Sequence, residues 1–130
     1  MFKRIDHVEI APSDFERTMT FYQEVIGFTL ASRIPIDMPP LREIAYLKLG
    51  DTMLEMLGFN DPDTTPLTPA QVGYRVMALE VDDMEQTIID LAARDIPIVW
   101  GPINLGDSIR AEIRDPDGLT IELRQWFTKL

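Results

Sequence analysis

The chain has a single histidine, His7, and two positions on is a carboxylate, Glu9. On an extended segment side chains alternate, so His7 and Glu9 project to one side while Val8 and Ile10 project to the other. An imidazole beside a carboxylate can hold a divalent cation or move a proton. Alternation through the other candidate inner strands sorts the side chains in the same way. Val8, Ile10, Leu54, Met56, Met77, Leu79, Val81, Leu119, Ile121 and Leu123 form an almost wholly apolar face. Its opposite collects His7, Glu9, Glu55, Tyr74, Val76, Ala78, Glu80, Thr120, Glu122 and Arg124, a set rich in groups that titrate or coordinate. Amphipathic helices must cover the apolar face, which leaves the polar one for solvent or a ligand.

The elements that would position these residues can be read in order. A strand over residues 3–11 ends at Ala11-Pro12, and Ser13-Asp14-Phe15-Glu16 has capping-box spacing. Phe15, Met19, Tyr22 and Ile26 follow at helical intervals, and Gly27 is placed to end the helix. A strand over 28–34 is expected to give way to a loop at the proline-rich stretch 35–40, since proline cannot donate to a ladder. Strands over 42–49 and 52–57 join at Gly50-Asp51 as a tight hairpin. Residues 60–71 carry no periodicity and read as a linker. The second half restates the first: a strand over 73–81, a helix opening at Asp82-Asp83-Met84-Glu85 that buries Met84, Ile88 and Leu91, and strands over 96–100, 108–114 and 119–125. The last two are joined by Asp115-Pro116-Asp117-Gly118, a turn with glycine at positive φ. A shift of roughly seventy residues superimposes like on like, the mark of a duplicated βαβββ unit. The expectation is one domain over 1–130, made of module one (1–60), a linker (61–72) and module two (73–130).

Composition narrows the chemistry. The 130 residues are 45% hydrophobic, enough for a core without covalent staples, and the formal charge of -10 repels phosphate backbones, which argues against a nucleic-acid partner. With no cysteine, disulfides, thiolate metal sites and cysteine nucleophiles are excluded. No apolar run is long enough to span a bilayer, so no membrane partner is expected and the expected location is cytoplasmic. A sheet of this size leaves strand edges to cover, which favours a homodimer.

Several short motifs, Asp6-His7-Val8, Phe21-Tyr22 with Gly27-Phe28, Leu54-Glu55-Met56, and Asp115-Pro116-Asp117-Gly118 with Ile121-Glu122-Leu123, fall in this order along the duplicated unit. In them the chain resembles the vicinal oxygen chelate superfamily, which groups glyoxalases, bleomycin-resistance proteins and ring-cleaving dioxygenases. The resemblance covers practically the whole chain. It implies an α+β fold of paired βαβββ modules forming a curved sheet cup, with metal ligands from the first and last strands of each module. Carried onto this sequence, it assigns His7, Glu55 and Glu122 as ligands; the fourth place falls on Val76, which has no donor atom. One imidazole and two carboxylates suit zinc, nickel, manganese or iron(II). The dioxygenases of the fold use two histidines and a glutamate, which one histidine cannot supply.

The implied activity is that of a divalent-metal-dependent lyase, isomerase or epimerase of the glyoxalase or epimerase type. Such an enzyme acts on a small oxygenated metabolite, with an enolate stabilised as a proton leaves carbon. Glu122 is the expected proton acceptor and Glu55 the runner-up. The alternative is a metal-free protein of the bleomycin-resistance type that sequesters an organic ligand, and Val76 is its support. Around these residues, Glu9 and Glu80 are outer acceptors or plain surface carboxylates, and Tyr46, Trp100, Phe59 and Met53 are pocket-lining or core. Arg33, Arg110 and Arg124 are able to grip a carboxylate or phosphate with two hydrogen bonds.

Overall fold

A computed structural model describes residues 1–129. The chain divides into two compact units, Met1–Pro66 and Leu67–Leu130. The first unit runs β1 (Val8–Ile10), α1 (Phe15–Thr20) with a π-helical continuation (Phe21–Ile26), β2 (Thr29–Met38), β3 (Leu41–Leu49) and β4 (Thr52–Phe59). The second runs β5 (Met77–Glu80), α2 (Met84–Ala93), β6 (Trp100–Asn104), β7 (Ser108–Arg114) and β8 (Thr120–Trp126). The strand orders are β1-β4-β3-β2 and β5-β8-β7-β6. Both sheets are thus wired alike, with the first strand of the unit lying parallel to the last.

In the first unit Asp14, one residue later than the capping-box spacing suggested, takes the N-cap, and its carboxylate accepts from Arg17 N–H at 3.1 Å. The helix widens into π turns at Phe21, which brings Phe21 and Tyr22 both into the core beside Phe28, with ring centroids 5.2 and 5.8 Å apart in edge-on pairs. Gly27, at φ 104°, closes it by donating to Tyr22 C=O. Tyr22, Leu47, Leu54 and Met56 are the large, fully buried side chains here. Each contributes about 1.5–3 kcal/mol through removal of apolar area from water.

In the second unit Asp83 caps α2 by accepting from Gln86 N–H at 3.0 Å, and Met84 N–H donates to Gln125 Oε1 at 2.7 Å, docking the helix start on β8. Met84 and Leu91 are buried and Ile88 is half-buried, as the periodicity predicts. The turn at Asp115 is tied by its own carboxylate, which accepts from Asp117 N–H and Leu119 N–H at 2.9 Å each, with Gly118 at φ 80°.

Several boundaries differ from the sequence expectation. The loop expected over residues 35–40 is largely strand: β2 runs through Pro35, which pairs with Glu43, before the register slips ahead of Met38. β2 is an edge strand, and an edge tolerates a residue without an N–H. The strand expected over 96–100 lies further on, as β6, again at an edge and again containing a proline. Residues 96–99 instead leave α2, with Ile96 N–H bonded to Leu91 C=O. Gly101 is required in β6, since a Cβ there would lie 2.6 Å from Arg110 C=O and its φ is +79°. The first strand of each unit is shorter than expected, so His7 and Val76 each stand one residue ahead of their strand.

Candidate metal centre

The parallel pairing of β1 with β4 sets Val8 beside Leu54, Glu9 beside Glu55 and Ile10 beside Met56. His7 and Glu9 flank Val8, so both lie on the face of Glu55. The antiparallel pairing of β3 with β4 adds Tyr46 opposite Glu55. His7 Nε2 stands 2.9 Å from Glu55 Oε2 and 3.2 Å from Glu9 Oε2, while Nδ1 is 2.8 Å from Asp6 Oδ2. One donor atom each from His7, Glu9 and Glu55 lies within 4.8 Å of the others. Glu55 is buried, His7 half-buried and Glu9 exposed, so the cluster opens to one side.

A neutral imidazole has one N–H and here faces acceptors at both nitrogens. The hydrogen bond to Asp6, then that to Glu9, and the charge of Glu55 raise the His7 pKa above 6.5, so the ring tends to keep both protons. Tyr46 hydrogen-bonds Glu55, and this bond, with desolvation and the surrounding carboxylates, raises the phenol above 10.0. Its ring meets that of His7 edge-on at 6.3 Å. Two carboxylates facing Nε2, with the other ring nitrogen taken by Asp6, make a place for a cation. The donor set, one imidazole nitrogen and carboxylate oxygens, fits a borderline divalent ion. Asp6 would hold the ring from behind and Tyr46 would orient Glu55, the supporting bonds that metal ligands ordinarily have.

The second unit places Glu122 in a different setting. By register, Ala78 pairs with Glu122 as Glu9 pairs with Glu55, so Glu122 occupies the place of Glu55 and Val76 that of His7. Glu122 is buried and lies between two arginines: Oε1 is 3.0 Å from Arg110 Nε and Oε2 is 3.0 Å from Arg124 Nη2. Val76 is exposed at 38%.

The remaining candidates are accounted for within their own units. Glu80 pairs with Lys129 at 2.7 Å. Arg33 lies over the Phe15 ring and pairs with Glu16 and Glu43, holding the Glu43 carboxyl below its usual range. Trp100 stacks on Arg110 at 5.2 Å. Met53 and Phe59 are half-buried on β4. By alternation alone Glu9 shares the face of His7 as an outer or surface carboxylate; its direct approach to Nε2 rests on the β1–β4 register.

The family model "Glyoxalase/Bleomycin resistance protein/Dioxygenase superfamily" matches residues 4–123, and the chain belongs to that superfamily. It is similar to lactoylglutathione lyase of Neisseria meningitidis, 31% identical over 94% of this chain and 90% of that protein. It is also similar to mitochondrial methylmalonyl-CoA epimerase of Mus musculus, 26% identical over 94% of this chain and 72% of that protein. Among solved structures, the glyoxalase family protein from Enterococcus faecalis aligns with a TM-score of 0.77 at 30% identity, covering 95% of this chain and 98% of that one.

Proposed function

We propose that this protein is a divalent-metal-dependent lyase, isomerase or epimerase that moves a proton next to a carbonyl in a small oxygenated metabolite. The observation that carries the reading is His7 Nε2 facing two carboxylates while Nδ1 is engaged by Asp6. Similarity to a lactoylglutathione lyase and a methylmalonyl-CoA epimerase supports the reaction class.

His7, Glu55 and Glu122 are the proposed ligands, with Glu9 beside the first two and no donor from Val76. When bound, the ion would polarise the substrate oxygens and stabilise the charge left as the proton departs. The chain's own residues do the rest. Asp6 fixes the imidazole, Tyr46 holds one position of the Glu55 carboxylate, and Glu122 accepts the proton from carbon, with Glu55 the second choice. Zinc, nickel, manganese and iron(II) all suit these donors.

The homodimer is part of the same proposal. Leu30, Ile34 and Met38 on edge strand β2 and Trp100 and Ile103 on edge strand β6 are exposed, and a second copy would cover such edges. Sedimentation should give twice the chain mass at micromolar concentration; a monomer throughout removes the dimer. No described helix is long and apolar enough to cross a membrane, and a cytoplasmic location is proposed.

The deciding experiment is elemental analysis of protein purified without added metal, followed by calorimetric titration with zinc, nickel, manganese and iron(II). Stoichiometric binding that disappears in His7→Ala is expected. No binding of any of the four ends the metal reading and leaves a metal-free ligand-sequestering protein.

A further inference from the structure

The second sheet carries two cations where charge repulsion makes them costly. Arg110 and Arg124 are direct partners across β7 and β8, and like charges in that position destabilise a sheet unless an anion joins them. The anion is Glu122, one carboxylate oxygen on each guanidinium at 3.0 Å. The arginines are otherwise restrained from outside this bridge. Arg110 Nη2 donates to Glu112 Oε2 at 2.8 Å and Arg124 Nη1 to Ser108 Oγ at 3.3 Å. Arg110 stacks on Trp100 at 5.2 Å and Arg124 on Trp126 at 5.1 Å. Arg124 Nε is buried without a hydrogen bond, and Arg110 Nε has Glu122 Oε1 at 3.0 Å but no well-directed bond to it, so the donors at this bridge are not all satisfied.

We infer that Arg110 and Arg124 form a carboxylate-binding subsite for the substrate, which Glu122 fills in the metal-free protein. The inference rests on the reading of Glu122 as a ligand: once its carboxylate turns to an ion, the two guanidinium groups keep their geometry and lose their anion. Glu80, the β5 partner of Arg124, is itself paired with Lys129, so of the acids at the bridge only Glu112 then remains against two positive charges, which leaves room for one negative group. A carboxylate bridging two guanidinium groups occupies the vacated place now, so a carboxylate is the anion the place is shown to fit. The substrate class is therefore a small carboxylic acid whose carboxylate is held by Arg110 and Arg124.

The test uses the full chain without metal and malonate as the probe, titrated into wild type, Glu122→Gln, Glu122→Gln with Arg110→Gln, and Glu122→Gln with Arg124→Gln. Removing the competing charge should tighten malonate by about tenfold or more, and either arginine substitution should return it to the wild-type level. A single variant that binds no better than wild type overturns the inference, as does a gain that persists without the arginines. Inorganic phosphate run in parallel overturns the carboxylate assignment if it gains and malonate does not. Should Glu122→Gln fail to fold, the Nε–H resonances of Arg110 and Arg124 in the wild type decide. They should shift together with malonate and not with chloride at matched ionic strength, and their staying still overturns the subsite. Metal titration of the wild type is scored separately: no metal binding with a retained malonate gain sinks the metal reading and with it the release of the arginines by Glu122, whereas metal binding without a malonate gain sinks only the subsite.

Discussion

Two sheets with one topology carry opposite chemistry. Around Glu55 the first sheet sets His7, Glu9 and Tyr46; at the matching places around Glu122 the second sets Val76, Ala78 and Glu112. Where β3 and β4 pair Ile44 with Leu57, β7 and β8 pair Arg110 with Arg124. The first sheet gathers acceptors around a nitrogen and so invites a cation. The second surrounds its one equivalent carboxylate with guanidinium groups and so invites an anion. Backbone wiring fixes where a side chain stands, and the charge of two or three neighbours decides what that place attracts.

Substitutions that erase or transfer this contrast should show it, and the largest effect is expected at Glu55. Glu55→Ala takes the buried carboxylate from His7 and Tyr46, and divalent-ion affinity by calorimetry should fall by more than about a hundredfold, beyond what loss of a supporting residue costs. Unchanged affinity would place the ion elsewhere. Next comes Val76→His, which gives the second sheet the imidazole it lacks at the position of His7. Its exposed site should accept the ring without loss of fold, and the ion should bind about tenfold more tightly. A variant that gains metal when the wild type has none would make the second sheet's valine the reason for a metal-free protein.

Tyr46→Phe should have a smaller effect, since it removes only the hydroxyl that hydrogen-bonds Glu55. About a tenfold weakening of the ion is expected, at the low end for a supporting residue, with the thermal midpoint little changed. The smallest effect is the pH dependence of the metal-free protein. The His7 pKa is raised, chiefly by Asp6, so the stability from its proton is fully present below 6.5 and is lost as pH rises through the higher folded value. A shallow fall in thermal midpoint on the alkaline side of 6.5 should be absent in His7→Gln. Ion affinity should run the other way, weakening as pH falls and protons reclaim Nε2.

Much of the fold was legible because its signals are local. The helix starts, read to within one residue of the Asp14 and Asp83 caps, the Gly50 hairpin and the Asp115 turn each depend on a few neighbouring residues, and their recurrence across the chain exposes the duplication. The edge strands β2 and β6 were less legible: proline reads as a strand breaker, and only knowledge that both strands lie at an edge reverses that. His7 and Glu55 could be placed on one face by alternation. The approach of Glu9 to the imidazole depends on a parallel register between segments more than forty residues apart, and no local pattern encodes that. The arginine bridge over Glu122 was hidden for the same reason, since Arg110 and Arg124 were visible only as two cations among the 12 in the chain.

The Asp115 turn bears on how the halves came to differ. Its carboxylate holds two backbone N–H groups of the connection between β7 and β8, so the alignment of those strands is anchored at their closed end. A slip of one residue between β7 and β8 would put Arg110 on the face opposite Glu122 and Arg124. With alignment secured by the connection, side chains further along the ribbon can be exchanged without renegotiating which residue faces which. A hairpin closed in this way works as a cassette: its chemistry can be rewritten while its address in the sheet stays the same.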